Sequence, residues 1–315
     1  MKVRTPGVLA RRAAAAAVGG VLAVSAAMIG AGTAGADTGG AGTATAGKEL
    51  VVLGDSFTAN ALDLLPDEKR CMQSLTSWPA QLSTLMGING TDQVANPSCP
   101  GASIDSGPGY TLSMEALLAS KAGSFGPSTK LVTLQFGLND RWGSSESSLW
   151  NAMQQCVFDL TDGCDPQHAD QARPIDSHGI SGAAYAARIR STVTYIRYYA
   201  PNARIVLVGY PELVPAGQET VCLDFFGVAP FVQPRGRSIS ETLDRIDRAQ
   251  REAAQQLQLE FLDARALTTG HGLCTADPWV NGVFDPTVNI EGLPFHPSPT
   301  GDSVVANALY ERYVR

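Results

Sequence analysis

The chain has 315 residues, 44% of them hydrophobic and 17% charged, with a formal net charge of −7. That length supports one large domain with a substantial core. The acidic balance excludes the basic patch that nucleic acid requires and electrostatic docking on anionic membranes.

Residues 1–36 read as a secretory signal peptide. Lys2, Arg4, Arg11 and Arg12 form a cationic start, an Ala/Gly/Val-rich run reaches Ile29, and Ala34-Gly35-Ala36 supplies the small-residue pattern cut before Asp37. An uncleaved anchor is the alternative, but the run is weakly hydrophobic for a permanent span. Cleavage leaves 19 basic against 30 acidic residues. The expectation is an extracellular monomer with no membrane anchor. Residues 37–47 are nearly all Gly, Ala and Thr and read as a flexible lead-in to a single domain over 48–315.

Leu50–Leu53, Leu131–Phe136, Ile205–Val208 and Leu259–Leu262 are short apolar runs without strict alternation, as buried parallel strands are. A weaker strand is predicted near Gln93–Ala95. Tyr185, Ile189, Thr192, Ile196 and Tyr199 follow a helical period that Pro201 stops. Ser238 and Glu241 form a candidate capping box ahead of Leu243, Ile246, Ala253 and Leu257. A last helix is predicted to open at Ser298 with Pro299 at its first position. Strands alternating with helices predict an α/β fold with a central, mostly parallel sheet and helices on both faces. The polar stretches 141–178, 210–237 and 268–295 read as elaborate loops.

Six cysteines (Cys71, Cys99, Cys156, Cys164, Cys222, Cys274) in an exported chain read as three disulfides, among fifteen possible pairings. Zinc is disfavoured, because there is no C-x-x-C and no His at ligand spacing. The short spacing of Cys156 and Cys164 points to a small closed loop. The Asp159, Asp162, Asp165 cluster lacks the ligand pattern of a calcium loop and reads as a turn. No cofactor is called for.

Ligands of a doubly wound sheet bind beyond the carboxyl ends of its strands. The first strand runs into Gly54-Asp55-Ser56, the third into Gly137-Leu138-Asn139-Asp140, and Gly101 follows the weak second strand. A serine hydroxyl needs a base to become a nucleophile, and an acyl oxyanion needs donors already aimed at it. Ser56 with its own N–H, the Gly101 N–H and the Asn139 amide supply all of such a site except the base. His168 and His178 read as solvated loop residues, and His271 as structural or exposed. His296, between Pro294 and Pro297 ahead of the last helix, sits where restricted backbone suits a positioned base. Position alone does not separate that role from a satisfied loop histidine. Asp55 and Asp140 read as turn-holding groups rather than proton carriers.

Gly54-Asp55-Ser56, Gly101, Gly137-x-Asn139-Asp140 and His296-Pro297 stand in the order of the blocks of the SGNH (GDSL) hydrolase superfamily, which the chain resembles. Ser77-Trp78-Pro79-Ala80, Cys99-Pro100-Gly101-Ala102, the Cys156…Cys164 loop, Val208-Gly209-Tyr210-Pro211 and Pro278-Trp279 narrow the resemblance to its secreted actinomycete lipases. The resemblance implies a flavodoxin-like three-layer sandwich and a Ser56–His296 hydrolase of fatty-acyl esters. It also implies an oxyanion hole from Ser56, Gly101 and Asn139, and sequential disulfides Cys71–Cys99, Cys156–Cys164 and Cys222–Cys274. A carbohydrate O-deacetylase is the alternative within enzymes, and a non-catalytic binding protein on the same fold the alternative outside them.

Two positions depart from the superfamily pattern. Where most members place an Asp three residues before the histidine, this chain has Leu293. The disulfide-bearing lipases share that departure and use a backbone carbonyl, so the carbonyl of Leu293 or Pro294 is expected to orient His296. Asp277 and Asp285 are the alternatives for a conventional third member. Leu138 is larger than its counterpart in many relatives and is expected to narrow the acyl site.

Overall fold

The structure, a computed structural model, describes residues 45–62, 71–107, 109–165, 176–290 and 292–315. The signal-peptide segment, most of the lead-in and His168 lie outside the described residues.

Five parallel strands build the main sheet in the order β2-β1-β3-β4-β7: β1 (Leu50–Gly54), β2 (Val94–Ala95), β3 (Leu131–Gln135), β4 (Arg204–Val208) and β7 (Glu260–Leu262). Successive strand residues point to opposite faces, and both faces are covered. Val51, Leu53, Val132 and Leu134 enter one apolar core, Leu50, Val52, Leu131 and Val206 the other. This double burial is why the strands read as unbroken apolar runs. The first core packs under α3 (Leu112–Lys121), α5 (Gly182–Tyr199) and α6 (Arg237–Leu257), the second under α2 (Trp78–Leu85) and α8 (Pro299–Leu309). The result is the expected three-layer sandwich.

Three sequence expectations change. Helix α6 starts earlier than the proposed box: Gly236 is its N-cap, without a side-chain cap bond, and Ser238 lies inside the helix. The Ser238 N–H donates to the Cys164 carbonyl at 3.0 Å, so a tertiary contact meets the need a capping side chain would have met. The stretch 141–178 contains α4 (Leu149–Phe158), whose buried Leu149, Ala152, Met153, Cys156 and Val157 form one helical face. The stretch 210–237 contains an antiparallel hairpin, β5 (Val221–Phe225) with β6 (Ala229–Gln233).

Disulfides join Cys71–Cys99, Cys156–Cys164 and Cys222–Cys274. The second ties the end of α4 to Cys164, whose backbone bonds to Arg235 and Ser238 at the start of α6, and the third ties β5 to the loop carrying Leu273. Such bonds stabilise by roughly 2–4 kcal/mol each, mainly by restricting the unfolded chain.

Candidate active site

Strand β1 delivers Ser56 to the sheet's carboxyl edge, where α1 (Ser56–Ala59) begins at once. Gly54 is required there, because a Cβ at that position would meet Thr58 Oγ1 at 2.1 Å. Its N–H donates to Glu115 Oε2 at 2.8 Å, a fully buried carboxyl that the sequence did not single out. Asp55 caps α1: its Oδ1 accepts the Phe57 N–H at 2.9 Å, and its Oδ2 accepts the Tyr210 hydroxyl at 2.5 Å. Burial raises its pKa to about 7, against the pull of these two donors. Tyr210 in turn accepts the Leu138 N–H at 3.1 Å. Asp55 is therefore committed to holding the turn.

His296 is 3% exposed, with Nε2 2.8 Å from Ser56 Oγ and Nδ1 2.8 Å from the Pro294 carbonyl oxygen. A carbonyl only accepts, so Nδ1 carries the proton and Nε2 presents a lone pair to the serine hydroxyl. Pro294, not Leu293, is the partner. The Leu293 carbonyl instead accepts from the His296 N–H at 3.2 Å and from Asn281 Nδ2 at 3.2 Å. Desolvation lowers the His296 pKa to about 4, and the Pro294 carbonyl offsets this only in part. Phe57 covers one face of the ring, 4.2 Å between centroids, and Trp150 approaches edge-on at 5.5 Å.

Neither aspartate offered as a third member touches the imidazole. Asp277 contacts His271 and Trp279, and Asp285 accepts from Thr287. The histidine's segment is held by Asn281, fully buried and not found in the sequence. Its side chain donates to the Leu293 and Pro297 carbonyls, and its backbone exchanges bonds with Phe295 and His296. Phe295 takes a left-handed φ of 66°, a strained turn that this bracing maintains. Asn60, at the end of α1, donates to the Pro297 carbonyl at 2.8 Å and so ties the two halves together. No local periodicity betrays such amides, because their partners are backbone carbonyls far along the chain.

The proposed oxyanion donors sit on three segments: Ser56 opens α1, and Gly101 and Asn139 lie in loops. Among the described residues no acceptor takes the N–H of Ser56 or of Gly101. Gly101 is exposed, with φ 79°, a conformation glycine adopts freely. Asn139 donates one amide hydrogen to the Ala102 carbonyl at 3.0 Å and keeps a second. Asp140 locks this arrangement: its buried carboxylate accepts from Ile104, Ser106 and Arg188. Burial pushes its pKa up, with Arg188 opposing. Leu138, expected to narrow the acyl site, is buried in the core and is not among the residues that line the cleft described next.

A small apolar cleft of about 50 Å³, walled by Trp150, Met153, Val157, Val221, Leu223 and Phe295 among others, lies next to His296 through Trp150 and Phe295. Of the other histidines, His178 is exposed and His271 stacks on Trp279, 3.4 Å between centroids.

A parallel sheet that delivers a serine hydroxyl to a neutral imidazole has the pairing that ester hydrolysis by a serine nucleophile requires. The chain belongs to the GDSL-like lipase/acylhydrolase family, whose model matches residues 52–304. It is 27% identical to Lipase 2 of Streptomyces coelicolor, over 82% of this chain and 83% of that protein. It is 25% identical to Lipase 1 of the same organism, over 90% and 91%. The fold matches an extracellular lipase from Streptomyces rimosus with a TM-score of 0.60 at 22% identity, over 85% of this chain and 100% of that one. A phospholipase A1 from Streptomyces albidoflavus matches with the same score and coverage at 20% identity.

Proposed function

We propose that this carboxylic ester hydrolase cleaves fatty-acyl esters through an acyl-enzyme on Ser56, with His296 as general base and no carboxylate third member. The observation that carries the reading is the hydrogen-bonded line Pro294 O, His296 Nδ1, His296 Nε2, Ser56 Oγ. His296 Nε2 takes the hydroxyl proton as Oγ attacks the ester carbonyl. The N–H groups of Ser56 and Gly101 and the Asn139 amide receive the developing oxyanion. The imidazolium then protonates the leaving alcohol, and water repeats the sequence on the acyl-enzyme.

The apolar cleft supports an acyl chain as its occupant. A carbohydrate deacetylase, the other enzymatic reading, has no use for such a cleft. Three disulfides and the signal-like residues 1–36 support an extracellular enzyme, and no described helix is long and apolar enough to cross a membrane. Rates on p-nitrophenyl esters from acetyl to palmitoyl test the reading. Preference for medium or long chains is expected, and activity confined to acetyl esters would contradict it.

A further inference from the structure

The hairpin that walls the cleft has a second, outward face. Residues 225–233 carry no charged side chain, in a chain that is 17% charged overall. Val221 and Leu223 of β5 line the cleft, while Phe226, Val228 and Val232 are 56%, 82% and 52% exposed. Phe284, 54% exposed, lies nearly parallel to Phe226 with ring centroids 6.4 Å apart. Phe226 and Phe284 sit at φ 61° and 50°. That left-handed backbone is unfavourable for bulky residues and is more readily taken by Gly or Asn. Folding therefore gives no reason for these rings: the backbone is strained and much of each ring stays in water. A contact outside the monomer gives one.

Charge and geometry select the partner. Residues 219–234 and 277–291 include acidic but no basic side chains, so an anionic surface is repelled. Pro230 lies in β6, which has no second neighbour in its sheet, and an edge with a proline is a poor template for strand addition by a second copy. Val232 pairs with Cys222 across the hairpin and so lies on the face opposite Val221 and Leu223.

We propose that the outer face of the β5–β6 hairpin, with Phe284, docks the enzyme on a lipid surface without net charge. The proposal rests on the reading of the enzyme as a hydrolase of fatty-acyl esters. Apolar side chains at a protruding turn partition into such a surface in proportion to the area they bury.

The test is the triple variant Phe226→Asn, Val228→Ser, Phe284→Asn, whose asparagines suit the left-handed positions and so preserve the fold. Co-sedimentation with phosphatidylcholine vesicles is measured in a Ser56→Ala background, where no hydrolysis intervenes. The bound-to-free ratio should fall by about tenfold or more. With Ser56 intact, hydrolysis of emulsified long-chain triacylglycerol should fall in parallel, while the rate on soluble p-nitrophenyl acetate stays unchanged. Unaltered vesicle binding overturns the proposal. So does binding only to phosphatidylglycerol vesicles, or a reversible dimer in sedimentation velocity that the triple variant abolishes. A failure of the Ser56 assignment would appear as activity retained by Ser56→Ala, and would leave the vesicle measurement standing.

Discussion

Ser56 and His296 meet at 2.8 Å, but the chain brings them there by different means. The serine turn is built locally, from β1 straight into α1, and buried acids brace it: Asp55 caps the helix and Glu115 takes the Gly54 N–H. The histidine segment is built from distant pieces and braced by neutral groups, the side-chain amides of Asn281 and Asn60 and the carbonyls of Leu293, Pro294 and Pro297. Even Asp302, which Asn60 touches, is pushed well above its usual pKa by burial. In this molecule the carboxylates position the backbone of Ser56 and leave the imidazole alone. A base held by a carbonyl keeps its tautomer but gains no full negative charge to stabilise imidazolium, so burial dominates its titration.

Substitutions on the two sides should therefore differ in size and kind. Ser56→Ala removes the proposed nucleophile and should lower kcat by about a thousandfold or more, with an unchanged circular dichroism spectrum. A folded variant keeping a tenth of the activity would remove Ser56 from its role. Asn139→Ala should cost about 2.7–4 kcal/mol, mostly in kcat, because the proposed role of its amide is to meet charge that develops only in the transition state. A loss confined to KM would make Asn139 a binding residue.

On the histidine side, Asn281→Ala deprives the Leu293 and Pro297 carbonyls of a buried donor. It should lower stability by about 1–3 kcal/mol in urea unfolding and reduce kcat as the base loosens. Wild-type values in both would show that the amide bracing is dispensable. Asp277→Asn and Asp285→Asn should have the smallest effects, each under about tenfold, where loss of a true triad aspartate costs about ten-thousandfold. A collapse in either folded variant would return a carboxylate to the histidine side and erase the contrast.

The same contrast governed what was legible in the sequence. Strands β1, β3, β4 and β7 could be bounded to within one residue at each end because double burial writes itself as apolar runs. The Ser56 side was legible because its residues are consecutive at a strand end. The base needed more: four histidines narrowed the choice, but the family blocks were needed to separate His296 from a loop residue. Asn281 was silent, since an amide that bonds backbone carbonyls leaves no spacing to find. Helix α4 did leave its period, in Leu149, Met153, Cys156 and Val157, masked by the polar residues around it. The start of α6 misled because the Cys164 carbonyl, brought in by tertiary structure, does what the Ser238/Glu241 pattern suggested locally.

The carbonyl-held base is tested most directly by NMR titration of His296, as imidazole ¹⁵N shifts, in the catalytically intact protein. The imidazole should stay neutral with its proton on Nδ1 through the pH range of activity and become charged only near its depressed pKa of about 4. The sign carries over to stability. The unfolded histidine takes up a proton near its ordinary value of about 6.5, the folded one only near 4, so this group makes stability fall as pH drops between the two. An imidazolium that persists above pH of about 6.5, with Nδ1–H shared with a carboxylate, would contradict the account.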